Sequence, residues 1–105
     1  MNKYEIKIED FTRERVLVGG SRGNKLREQL NIDHIYSSYD EIEFIFPSNT
    51  LATNSSFFEG LFQDIIFKLG QDKFLDKFKF IGYDCDIDIA EAIYNVDREK
   101  KYNKK

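Results

Sequence analysis

EIEFIFPSNTLATNSSFFEGLFQDIIFKLG, residues 41–70, decides the fold. Its first six residues alternate, with Ile42, Phe44 and Phe46 on one side and Glu41, Glu43 and Ile45 on the other. That period of two predicts a strand over Glu41–Phe46 with one buried face. Pro47, the only proline, closes it because proline cannot donate to a sheet ladder. A polar loop follows, in which Ser48, Thr50, Thr53, Ser55 and Ser56 cluster with Asn49 and Asn54. Ser56 and Glu59 fit a capping box, and Phe57, Phe58, Leu61, Phe62, Ile65, Ile66 and Leu69 then recur at helical spacing. Gln63, Asp64 and Lys68 are left for the wet side, and Gly70 suits the position after the helix. A buried strand thus delivers the chain through a hydroxyl-rich turn into a buried helix, the kind of junction that often holds functional groups in α/β proteins.

Working outward, Tyr4, Ile6 and Ile8 alternate with charged residues and predict a strand over Lys3–Glu9. The short β-branched run Val16–Val18 ends at Gly19-Gly20 and is read as a hairpin partner of that strand. Ser21–Leu30 holds good helix formers, with Leu26 and Leu30 one turn apart and Ser21 or Asn24 available as a cap. Residues 31–40 read as a connection. Downstream, Phe74 and Leu75 continue the packing, and Lys77–Gly82 alternates as another strand. Asp84, Asp86 and Asp88 crowd a last helix start, where Asp88 and Glu91 offer a second capping box. Ile89, Ala92, Ile93 and Val96 form its inner stripe. Strands alternating with helices predict a single small α/β domain, with a four-stranded mixed or mainly parallel sheet and about three helices. The domain is expected to cover residues 1–98, followed by a basic C-terminal tail over 99–105.

At 105 residues and 41% hydrophobic content, with ten Phe and six Tyr, the chain can bury a core of its own. The charge of −3 hides a split. Met1–Asp97 carries 11 Lys and Arg against 18 Asp and Glu, while Arg98–Lys105 carries five against one. An acidic body argues against a nucleic-acid surface, which needs a clustered basic face. The basic end reads as cations complementing a helix dipole. One cysteine, Cys85, allows no intrachain disulfide, and Asp84 and Asp86 beside it disfavour a thiolate. With no apolar leader and no run of about 18 apolar residues, the expectation is a cytoplasmic protein without a membrane segment.

Motifs for chemistry mostly fail on spacing. Gly19-Gly20-Ser21-Arg22-Gly23-Asn24-Lys25 resembles a phosphate loop, yet neither leading glycine has the right spacing and Leu26 follows the lysine. Arg22 and Lys25 remain candidates for a weak anion contact. Asp84, Asp86 and Asp88 mimic a calcium loop, but Ile89 stands where the turn glycine belongs and Asn95 where the bidentate Glu belongs. His34 is the sole histidine, so there is no zinc set, and no Gly-x-Ser-x-Gly supports a triad of His34 with Ser55 or Ser56. No catalytic residue, metal or cofactor is assigned. The hydroxyl cluster is explained in large part by turn hydrogen bonds and capping. Ser55 at the helix start is the residue with a distinct functional claim, since a phosphate there meets the helix's positive end.

The unit IEFIFPSNTLATNSSFFEGLF, residues 42–62, resembles the corresponding part of STAS domains, and more closely the bacterial STAS-like domain family of unknown function. Ser55-Ser56-Phe57 and Leu61-Phe62 match the family's SSSFxxELF segment, and Gly20-Ser21-Arg22, Leu26-Arg27 and KFKFIGYD match its flanks. The likeness spans roughly Lys3–Arg98. In the anti-sigma-factor antagonists among STAS domains, an Asp-Ser-Ser turn is phosphorylated on its first serine by a partner kinase. Ser55 and Ser56 match those serines, and Asn54 stands in the Asp position. The resemblance implies a non-enzymatic regulatory module that binds a protein partner around Asn54, Ser55, Ser56 and Glu59, such as a histidine-kinase-like ATPase. A second class is a small acidic inhibitor, encoded by a phage or other mobile element, that blocks a target enzyme or nucleic-acid machine. A free sheet edge or the Phe-rich helix face offers a route to a homodimer.

Overall fold

The computed structural model describes residues 2–103. Strand β1 (Lys3–Lys7) is followed by a 3-10 turn over Ile8–Asp10, a short β2 (Val16–Leu17) and helix α1 (Gly20–Leu30). A one-turn α2 (Ile32–Ile35) and a 3-10 turn at Tyr36–Ser38 lead to β3 (Glu41–Ile45). Then come β4 (Ala52–Thr53), α3 (Ser55–Leu69), α4 (Gln71–Lys77), β5 (Phe78–Ile81) and α5 (Asp86–Asn103).

Strands β1, β3 and β5 form one parallel sheet in that order, with Tyr4 opposite Ile42 and Ile42 opposite Phe78. The alternation foreseen in β3 holds: Ile42, Phe44 and the following Phe46 are buried, while Glu41, Glu43 and Ile45 are partly exposed. Helix α3 packs between α1 and α5, so the three long helices make one layer. Phe62 of α3 meets Phe44 and Phe78 at 5.1 Å each, which fixes the covered face of the sheet. Parallel sheets normally bury both faces. Here the other face carries Lys3, Glu5, Lys7, Glu41, Glu43 and Lys79 together with Ile45 and Ile81, and the Lys3 ammonium pairs with Glu43 at 3.0 Å and Glu41 at 3.6 Å.

Several sequence expectations are corrected. The sheet is three strands plus a separate two-stranded ribbon rather than four. Val16–Leu17 is no hairpin partner of β1, but runs parallel to β4 with Val16 opposite Ala52. Residues 8–15 are too long a connection for a tight hairpin, and burying Leu17 completely draws the run toward the helix layer instead. Among the described residues helices number five, because α2 fills the segment read as connection and α4 forms where Phe74 and Leu75 were expected only to continue the packing. Gly70, at φ 79°, ends α3, and α4 restarts at once so that Phe74 can stack on Phe78 at 4.9 Å. Helix α5 starts at Asp86, not Asp88: the Asp84 carboxylate accepts the Asp86 amide at 3.2 Å. The helix continues to Asn103, so the first part of the basic tail is helical, and Lys104 and Lys105 lie outside the described residues. Lys100 sits over the Phe67 ring at 5.0 Å, which ties the end of α5 to α3.

The closest approach in the helix layer uses glycine on both sides. A Cβ on Gly23 of α1 would overlap the Phe57 carbonyl and lie 2.9 Å from the Leu61 nitrogen. One on Gly60 of α3 would overlap the Gly20 carbonyl and lie 3.1 Å from the Asn24 nitrogen. Backbone meets backbone here, and only hydrogen fits. Among the described residues no helix is long and apolar enough to cross a membrane.

Candidate interaction site at the C-terminal end of the sheet

All three sheet strands run the same way, so the links leading into α1, α3 and α5 gather at one end of the sheet. That is the end where open α/β folds place their ligands.

At its centre is Asn54. The sequence pattern puts the cap of α3 at Ser56, but the structure puts it two residues earlier. The Asn54 Oδ1 atom accepts the Phe57 amide at 3.0 Å and the Gly19 amide at 3.1 Å. The second bond is the physical reason for the shift: one oxygen caps α3 and anchors the residue before α1, where Gly19 holds φ 92°. Neither Ser21 nor Asn24 caps α1, whose cap is Gly19 without a side-chain bond. Glu59 does not reach back to Ser56 in a capping box; its carboxylate accepts the Asn95 amide of α5 at 3.0 Å. Asp88 is likewise no cap, because its Oδ2 accepts the Thr53 hydroxyl at 2.6 Å and so joins β4 to α5.

These bonds sort the hydroxyl cluster. Thr50 donates to the Pro47 carbonyl at 2.8 Å within its own turn, and Thr53 is committed to Asp88. Ser55 is half-buried in the first turn of α3, and Ser56 is exposed beside it. The first amides of an α-helix have no intrahelical acceptor, so this turn is a favourable place for negative charge.

The rim around the turn is apolar in a way the sequence reading missed. Ile87 is 83% exposed, Leu51 62% and Val16 40%. The segments that carry them reach the same end of the sheet: the Leu51 amide donates to the Arg15 carbonyl at 2.7 Å, and the Tyr83 hydroxyl, in the link leading to α5, donates to the Leu51 carbonyl at 3.4 Å. Aliphatic residues among polar neighbours were the available signal, but nothing in the chain order joins positions 16, 51 and 87.

The titratable groups offer little nucleophilic chemistry. Burial, with Asp86, Asp88 and Asp84 adding to it, pushes the Cys85 thiol from 9.0 up to about 12. His34 follows the C-terminal end of α1, whereas Ser56 approaches Gly20 at its N-terminal end. At 1.5 Å per residue, about 16 Å of helix separates the two, so the structure does not bring His34 to Ser55 or Ser56. Asp84, Asp86 and Asp88 do not form a metal-holding group among the described residues.

Arg22 and Lys25, the anion candidates, line one cleft of about 310 Å³ together with Phe57. Arg22 Nη1 donates to the Val16 carbonyl at 2.9 Å and pairs with Glu14 at 3.4 Å, which holds the loop ahead of β2 against α1.

Comparison with protein-family models, with curated proteins and with solved structures finds no match to this chain.

Proposed function

We propose that the chain is a non-enzymatic regulatory module of the STAS-like type, which docks a protein partner through the start of α3 and the rim beside it, with Ser55 as a phosphorylation switch. The observation that carries the reading is the exposed apolar rim of Val16, Leu51 and Ile87 around a helix N-terminus whose serines are not used as caps. Exposed aliphatic side chains grouped at a functional end mark an interaction surface. Asn54 takes over the capping, which leaves Ser55 and Ser56 as the hydroxyls of the first turn. A phosphate on Ser55 brings a charge of about −2 to this turn, where the helix dipole favours it, and places that charge against any apolar partner seated on the rim. Phosphorylation is then a release signal. The partner class implied by the family resemblance is a histidine-kinase-like ATPase.

The test is affinity purification from the native cell with mass spectrometry, comparing the wild type with Ile87→Asp and Ser55→Glu at matched thermal stability. The expected outcome is one ATPase that both variants lose and that adds phosphate at Ser55 when given ATP. Retention of the same partners by both variants overturns the reading. Binding that survives both substitutions yet weakens steeply with salt assigns the chain to the acidic-inhibitor class instead.

A further inference from the structure

The outer side of α5 has features that the docking reading does not use. Asp88, Asn95 and Glu99 recur at helical spacing and bond Thr53, Glu59 and Gln63, so this flank of α5 is committed to β4 and α3. The opposite flank borders a cleft of about 340 Å³ between α5, α4 and the edge strand β5. Its mouth keeps apolar surface: Leu75 is 39% exposed, Phe80 is partly exposed, and Ala90, the smallest side chain there, is exposed. Asp86 stands at the same cleft, one turn before Ala90. One turn after Ala90, Tyr94 is 63% exposed, and Arg98, a further turn on, lies over its ring at 5.8 Å. Neither Asp86 nor Arg98 makes an ion pair among the described residues.

We infer that two copies of this chain pair through antiparallel α5 helices, each placing its Tyr94 in the other's cleft beside Ala90. The Phe-rich face of α3 is buried and cannot make such a contact. The match rests on spacing. Ala90 and Asp86 are four residues apart, as are Tyr94 and Arg98, and an antiparallel helix reverses the order of its residues. Setting Tyr94 level with the second copy's Ala90 therefore sets Arg98 level with the second copy's Asp86. A twofold axis level with Ala92 repeats both contacts. Charge along the helix agrees with this direction: residues 84–91 hold four acidic side chains and no basic one, while residues 98–105 hold five basic and one acidic. Antiparallel helices set each acidic start against a basic end, whereas parallel ones set like charges side by side. The cleft has room for the ring, since an apolar cavity of about 150 Å³ already admits benzene. A contact confined to one helix and one cleft per copy is smaller than a standard interface, so the dimer is a weak one. It does not involve the start of α3 and holds whether or not that turn docks a partner.

The experiment is analytical ultracentrifugation of the full chain from about 10 μM to about 1 mM, in low and high salt, with thermal melts to establish that each variant folds. The wild type is expected to pass from monomer to dimer with a Kd of about 100 μM that weakens several-fold in high salt. Ala90→Arg fills the cleft from an exposed helical position with a good helix former. It and Tyr94→Glu are each expected to weaken the dimer by about tenfold or more. Asp86→Arg and Arg98→Asp are each expected to weaken it by about tenfold alone, and combining them to restore it to within about threefold of the wild type. About 18 Å of helix separates the two positions within one chain, so only a contact between copies explains that rescue. A chain still monomeric at about 1 mM, an unchanged dimer in Ala90→Arg and Tyr94→Glu, or charge reversals that fail to rescue each other overturns the inference. A monomeric chain that loses its partner from the native cell in Ala90→Arg overturns it in favour of a foreign occupant of the cleft.

Discussion

Asn54 shows how one side chain can settle a local ambiguity. Asn54, Ser55 and Ser56 are all good capping residues, and the three-residue spacing to Glu59 favours Ser56 on sequence grounds. Asn54 wins because its oxygen also accepts the Gly19 amide from 35 residues away. Asn54→Ala is expected to cost about 2 kcal/mol in urea unfolding, the upper range for a lost cap, and Ser56→Ala no more than about 0.5 kcal/mol. Cys85 gives a pH prediction. Its folded pKa, about 12, lies above the ordinary 9.0, so above pH 9 the unfolded chain releases a proton that the folded chain keeps. The thiol's contribution to stability is complete below that pH and is lost as pH rises toward 12. Cys85→Ala is expected to flatten this alkaline fall in thermal melts, and the native thiol is expected to resist alkylation at pH 8.

Between elements, the α1–α3 contact is set by backbone. Gly23→Ala and Gly60→Ala each force a methyl into carbonyl oxygen and amide nitrogen of the facing helix, which cannot yield as a flexible side chain would. Each is expected to destabilise by about 3 kcal/mol or more in chemical denaturation, well beyond the usual preference of a helix for alanine over glycine, which has the opposite sign. The Thr53–Asp88 bond fastens the ribbon to α5 in a similar long-range way. A double-mutant cycle of Thr53→Val and Asp88→Asn is expected to give a coupling of about 1 kcal/mol, read as the shortfall from additivity.

Over the whole molecule, burial is concentrated around α3. It is the central helix of its layer, its Phe57, Phe58 and Phe62 are fully buried, and Phe58 and Phe62 reach the sheet through Phe80 at 5.9 Å each. The small ribbon, by contrast, is two residues a side and lies next to the exposed rim. Hydrogen exchange is therefore expected to be slowest in β3 and α3 and fastest in β2, β4 and the loops that join them, a difference readable by mass spectrometry on the intact chain. An order reversed between α3 and the ribbon contradicts this distribution of stability. Most of the open sheet face is charged, with Lys3 paired to Glu41 and Glu43, and only Ile45 and Ile81 add apolar surface to it, so a one-sided parallel sheet remains compatible with water.

The sequence by itself determined the strands and helices whose apolar residues repeat with a clear period, β1, β3, β5, α1, α3 and α5, and, for all of these but β5, the face each one buries. Periodicity reports burial along a single element, and these elements are long enough to show it. Only the tertiary structure decided the rest. The partner of Val16–Leu17, the cap of α3 and the roles of Glu59 and Asp88 all depend on groups about 35 residues away in the chain. The rim of Val16, Leu51 and Ile87 and the cleft beside Arg22 and Lys25 are likewise made by distant segments meeting at one end of a parallel sheet. A hydrogen bond is satisfied by whichever acceptor the fold brings near, and no local pattern records which one that is.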